Sequence, residues 1–152
     1  MGQRYLDVLI EACQEAKKAV PTREFKDARL EDLGDVKNAI YIIQQIDGDK
    51  TKTYESFIEY KALKQRACAK INHPSEVLYV GSSTTGVKKR LEQHLGLGPA
   101  GTYALQLNHW FVGRYTMTVR EYECSRFVLQ LIEDDLSAQL RPAFGKTGGN
   151  SK

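Results

Sequence analysis

Residues 78–83 read LYVGSS and residues 39–43 read AIYII. Each is a short apolar run with one tyrosine, and Tyr41 and Tyr79 stand 38 positions apart (79 − 41). Runs rich in Ile, Val and Tyr suit a pleated, half-buried surface, so both read as strands. The plainer reading is packing and nothing more. The sharper one is that two neighbouring antiparallel strands set the phenols side by side, and the rest of the chain decides between them.

Outward from these runs the punctuation is regular. Ala39–Ile46 ends on Asp47-Gly48-Asp49, which is turn chemistry. Thr53 reads as the N-cap of a helix from Tyr54 to about Lys70, closed by His73-Pro74-Ser75. Val77–Val80 is the second strand, Gly81 to Gly86 a polar loop, and Val87–Leu95 a helix closed by Gly96. Tyr115, Met117 and Val119 alternate with Thr116, Thr118 and Arg120, as in a half-buried third strand. Ser125 caps a last helix running to about Leu140, which Pro142 stops. Ahead of all this, Leu6, Leu9, Ile10, Cys13, Ala16 and Val20 recur at helical spacing up to Pro21. Thr22 reads as the cap of a second short helix through Phe25, Ala28 and Leu33, ending at Gly34.

The expected class is therefore α+β: a small antiparallel sheet of three strands flanked by helices, not a doubly wound α/β fold. The expected organisation is an N-terminal helical extension at 1–35, one domain at 36–146 and a flexible tail at 147–152. A helical insertion at 47–76 separates the first two strands of that domain.

The 152 residues suffice for one substantial core. No apolar run approaches the roughly 18 residues that cross a bilayer, and residues 1–30 lack the apolar core of a secretory signal. No membrane partner is expected, and the expected location is the cytoplasm. Cys13, Cys68 and Cys124 are scattered and odd in number, and His73, His94 and His109 lack zinc-site spacing. Charge is unevenly placed. The formal net charge is +3, and residues 1–35 hold six basic against eight acidic groups, which leaves +5 for the remainder. Lys61, Lys64, Arg66 and Lys70 lie between Tyr60 and Asn72 with no acidic residue among them. Such a cluster suits a phosphate backbone, and equally a solvated helix face.

Two helices carry charge where apolar side chains belong. Leu129, Glu133, Leu136 and Leu140 are spaced four, three and four apart, so Glu133 shares a face with three leucines. An ionised carboxylate there needs a partner, a metal or a path to solvent. In the helix after LYVGSS, Arg90 and His94 stand one turn apart, a pair able to hold a phosphate. A snorkelling arginine at a helix edge is the bland alternative.

Taken together, these residues resemble the GIY-YIG nuclease superfamily over about residues 38–145. Ala39-Ile40-Tyr41 stands for the first signature and Tyr79-Val80-Gly81 for the second. Arg90 lies nine residues beyond Gly81 (90 − 81), His94 follows one turn later, and Glu133 is followed nine residues on by Pro142 (142 − 133). Three departures stand out. Ala39 replaces the leading glycine, a basic helix separates signatures that are usually about ten residues apart, and Gly145 replaces the asparagine due three residues after Pro142. Thr147 and Asn150 are nearby polar substitutes for that asparagine.

The resemblance implies hydrolysis of DNA phosphodiesters with one divalent cation, Mg²⁺ or Mn²⁺. Tyr79 is then expected to deprotonate the attacking water, and Tyr41 to bind that water or the phosphate. Arg90 would clamp the developing charge, His94 contact phosphate or shuttle a proton, and Glu133 bind the metal. Lys61, Lys64, Arg66, Lys70, Lys88 and Lys89 are the expected backbone contacts, with Gly81 and Pro142 structural. A homodimer or a protein partner would dock through the N-terminal helices. The other readings are a nucleic-acid-binding or protein-interaction module that keeps this fold without cleaving.

Overall fold

The computed structural model describes residue 2 and residues 4–146. The elements run α1 (Tyr5–Lys18), β1 (Arg23–Phe25), β2 (Ala39–Ile46), α2 (Lys50–Ala62), β3 (Val77–Ser83), α3 (Val87–Leu95), β4 (Arg114–Glu121) and α4 (Arg126–Leu140). Short 3₁₀ turns cover Leu30–Asp32 and Leu107–His109. The class is α+β, but the sheet has four antiparallel strands in the order β1-β4-β2-β3 rather than three.

The additional strand replaces the helix expected after Thr22. Arg23 pairs with Glu121 and Phe25 with Val119 across β1 and β4. Charge pairs fix this register: Arg23 Nε lies 2.6 Å from Glu121 Oε1, and Arg120 Nε 2.8 Å from Glu24 Oε2. Asp27 then adopts φ 51°, which ends any helical continuation. The Thr22 signal was local, whereas the charge partners are almost a hundred residues away.

The inserted helix also shifts. Asp49, not Thr53, is the N-cap of α2, its carboxylate accepting from Thr51 N at 2.8 Å and Lys52 N at 3.3 Å. The helix ends at Ala62 instead of near Lys70, because Lys64 turns left-handed at φ 56°. Beyond it, Cys68 bridges Ala104, and Lys61 Nζ donates to the Ala69 carbonyl at 3.0 Å. β3 is longer than expected, since Gly81, Ser82 and Ser83 pair with Tyr41, Ile40 and Ala39 instead of looping.

Alternation on β2 divides the core. Ala39, Tyr41 and Ile43 face a cluster with Val119, Phe57 of α2 and Leu91 of α3. Ile40 and Ile42 face the other way, toward Leu129, Leu136 and Leu140 of α4. Met117 and Val119 are buried on the first face with Tyr115 packed against them, as their spacing predicts. Residues 1–35 do not stand apart in the described structure: α1 packs on α4, and β1 belongs to the common sheet. No helix among the described residues is long and apolar enough to cross a membrane. The expected tail at 147–152, with Thr147 and Asn150, lies outside the described residues.

Candidate active site

The two tyrosines meet across the pairing of central β2 with edge strand β3. Tyr41 lies opposite Gly81, and Tyr79 opposite Ile43, so both side chains rise from one face of the β2–β3 ladder. Their rings stack with centroids 6.0 Å apart and planes 2° from parallel. Gly81 makes that approach possible: a Cβ there would fall 2.5 Å from Tyr41 Oη and 3.0 Å from Tyr79 Cε1. The glycine is required for space and not for φ.

The α3 helix leaves β3 through the short turn at residues 84–86 and returns over the same face. Ser83 Oγ accepts from Gly86 N at 3.1 Å and closes the turn before the helix, and Gly96 at φ 95° ends it. One turn separates Arg90 from His94, and both reach the tyrosines. Arg90 donates to Tyr79 Oη at 3.4 Å, to Gln93 Oε1 at 2.9 Å and to the Tyr103 carbonyl at 3.1 Å. His94 is fully buried, its ring 4.1 Å from that of Tyr79 by centroids. Leu105 N–H donates to His94 Nδ1 at 3.2 Å, so Nδ1 is the unprotonated nitrogen. Nε2 therefore carries the proton and donates it to Tyr41 Oη at 3.0 Å. Contact between His94 and phosphate is excluded in this arrangement by its burial; its partner is Tyr41.

Glu133 arrives from the other face. Ser82 points opposite to Tyr79 and Gly81 by strand alternation, and Ser82 Oγ donates to Glu133 Oε1 at 2.5 Å. The constellation thus wraps around β3, and it can do so because β3 has a neighbour on one side only. Glu133 is close enough to influence the ionisation of both tyrosines, and Arg90 to influence its own.

Burial dominates the electrostatics. It pushes the Tyr41 phenol well above its ordinary pKa, with Tyr79 adding to the shift and Arg90 opposing it. It raises Tyr79 as well, again against Arg90. Burial works against charge on Arg90, but the oxygens of Tyr41 and Tyr79 outweigh it and hold the guanidinium protonated. His94 is driven well below the usual imidazole range by burial and then by Arg90, so it is neutral. Glu133 is raised by desolvation, against the Ser82 hydrogen bond.

A desolvated carboxylate favours a cation. Among the described residues no three His, Cys, Asp or Glu side chains group to form a metal cage. Mg²⁺ does not need one, since it keeps several waters and takes one or two carboxylates together with substrate phosphate. Glu133 fits that single-carboxylate role.

The expected basic contacts divide. Lys64, Lys70 and Lys89 are exposed and Lys88 is half-buried. Lys61 and Arg66 serve the fold: Lys61 holds Ala69, while Arg66 grips Gln106 Oε1 at 2.7 Å and the Gly98 carbonyl. Pro142 is buried, and its carbonyl accepts from Asn72 Nδ2 at 3.2 Å. Gly145 packs flat on the Tyr79 ring at φ 101°, where a Cβ would fall 2.6 Å from Tyr79 Cε2. No asparagine fits there. Asn72, from the insertion, donates to the Gly145 carbonyl at 2.9 Å and secures the same turn.

The sequence reading passed over Ser82, Gly145 as a packing residue, Asn72 and the Tyr103 carbonyl. Ser82 was legible, because alternation from Tyr79 places it on the α4 face. The other three depend on contacts made by loops. No family model, curated protein or solved structure matches this chain.

Proposed function

We propose that this chain is a metal-dependent DNA endonuclease of the GIY-YIG type. The observation that carries the reading is the gathering of Tyr41, Tyr79, Arg90, His94 and Glu133 around one glycine of an edge strand, from positions spread over 92 residues (133 − 41). Packing alone does not account for a stacked tyrosine pair sharing a half-buried arginine with a desolvated carboxylate beside it.

In this reading Tyr79, which is half-buried, is the phenol that a water can reach. Tyr79 first gives up its own proton to solvent, a loss that Arg90 favours and burial opposes. Its phenolate oxygen then takes a proton from the water as the water oxygen bonds to phosphorus and the P–O bond to the leaving nucleoside oxygen breaks; solvent protonates that leaving oxygen. Arg90 favours the phenolate and stabilises charge developing on the phosphate, a contribution of roughly 3 kcal/mol for a well-placed donor. Tyr41 is 1% exposed and His94 0%, so both act as positioning residues behind Tyr79 and Arg90. Glu133, oriented by Ser82, would hold the cation. That cation, when bound, polarises the phosphate and supports the leaving oxygen. Lys64, Lys70, Lys88 and Lys89 supply phosphate contacts without sequence readout.

The test is nicking of supercoiled plasmid with Mg²⁺ or Mn²⁺. Wild-type protein should nick, and Glu133→Ala and Arg90→Ala should each lose about 100-fold or more in rate. Plasmid retardation with no nicking by the wild type would instead favour the binding module. Full nicking by Glu133→Ala would refute the assigned site.

A further inference from the structure

At Tyr103, whose carbonyl accepts from Arg90, the surface opens into a groove of about 750 Å³. One wall is the end of α2 with the segment that follows it, and the other is the loop at 100–103. No acidic residue lines it. Its floor is aliphatic, with Ile58, Ala62 and Ile71, and its cations are Lys61, Lys64 and Arg66. Two of those cations are fixed inward, as described above, and they hold the walls in place. Ala67 N donates to the Ala100 carbonyl at 2.7 Å and Ala69 N to the Ala104 carbonyl at 3.0 Å, which ties one wall to the other. The groove is therefore built into the fold rather than left between loose loops. Lys64 remains as its exposed ammonium group.

Tyr103 stands at one end, 62% exposed, although it is a large aromatic residue on a well-anchored loop. Its main chain and its ring both lead to the candidate active site. The Tyr103 carbonyl accepts from Arg90, and Lys146 Nζ sits 6.0 Å from the Tyr103 ring centroid. Lys146 directly follows Gly145, the residue packed on the Tyr79 ring. A chain lying in the groove would thus reach the reacting groups without leaving the surface.

The chemistry selects the occupant. Cations without acidic neighbours favour a polyanion, while aliphatic lining residues and an exposed ring with a cation over one face favour flat groups that carry phosphate. A paired duplex keeps its bases stacked inside and presents mainly phosphate; an unpaired strand presents both bases and phosphates. We infer that this groove binds single-stranded nucleic acid, with a base stacked on Tyr103 and backbone phosphates on Lys64 and Lys146. The substrate is then a polynucleotide with an unpaired segment next to the scissile phosphate. Only that last step rests on the nuclease reading; binding in the groove does not.

The experiment uses the full chain in EDTA, so that binding is read without cleavage. Fluorescence anisotropy is recorded with a labelled 12-nucleotide oligo-dT and with a labelled duplex of equal phosphate number. The wild type should bind oligo-dT more tightly than duplex. Tyr103→Ala should weaken oligo-dT binding about tenfold while duplex binding changes little, and Tyr103→Phe should retain it. Lys64→Gln should lower the slope of log K against log salt by about 0.7 on the single strand. Preference for duplex, no binding of oligo-dT, or equal binding by Tyr103→Ala would each overturn the inference. The two readings fail separately: plasmid nicking without oligo-dT binding removes the groove, and oligo-dT binding with no cleavage in Mg²⁺ of either plasmid or a single-strand-tailed duplex removes the nuclease.

Discussion

A methyl group on Gly81 would lie 2.5 Å from Tyr41 Oη and 2.6 Å from Tyr41 Cζ, against a ring that is itself buried. Gly81→Ala should therefore cost about 1–3 kcal/mol in urea unfolding, the range for overpacking a filled site. Gly145→Asn should cost more, although it restores the residue that the resemblance expects. It adds strain at φ 101° to a clash with the Tyr79 ring. Recovery of stability or of nicking by Gly145→Asn would contradict this geometry. His94 gives a pH signature. It is neutral when folded because burial lowers its pKa, whereas in the unfolded chain it titrates near 6.5. Above that value neither state binds the proton. As pH falls below it the unfolded chain gains one and the folded chain does not, so stability is lost. Glu133 acts in the opposite sense at lower pH, since its folded pKa is raised and protonation favours the folded state. Urea titrations of wild type and His94→Gln from pH 8 to pH 5 isolate the histidine: the variant should be weaker at pH 8, and the gap should narrow on acidification. A constant gap would mean that His94 is not held neutral.

At the scale of elements, local chemistry and remote pairing compete. Asp49 caps α2 with two backbone hydrogen bonds, so Asp49→Ala should lower stability by about 1 kcal/mol with the denaturant slope unchanged. Thr53→Ala should not show a capping loss, because Thr53 N already bonds the Asp49 carbonyl within the helix. The sequence reading placed the cap at Thr53 and Asp49 in the turn, but Asp49 prevails because its carboxylate faces two orphan amides. β1 shows the reverse case. Nothing within residues 22–33 outweighs a helical pattern, yet Glu121 and Arg120 recruit Arg23 and Glu24 into the sheet. The start of β3 and the whole of α3 are better specified, because the apolar run from Val77 and the stop at Gly96 agree with their tertiary partners.

At the scale of the molecule, stability should be graded from the sheet outward. β2 lies between β4 and β3, and Ala39 to Ile43 are between 0% and 7% exposed. α1 buries only Ala12 and leaves Tyr5, Leu6 and Ile10 more than half exposed. Native-state hydrogen exchange should find β2 amides opening only with global unfolding, and α1 amides opening at lower free energy. Equal protection in both would show α1 to be part of the central cooperative unit. The sequence by itself determined the strand runs, the two later helices with their caps, and the five residues that break an otherwise ordinary core. Those follow from periodicity and from the mismatch between residue type and position, which are local. The tertiary structure alone decided the fourth strand, the true start of α2, the burial of His94 behind Tyr41, the turn that places Gly145 on Tyr79, and the Tyr103 groove. Each of these depends on partners distant in sequence or on main-chain groups, and neither leaves a signal in side-chain pattern.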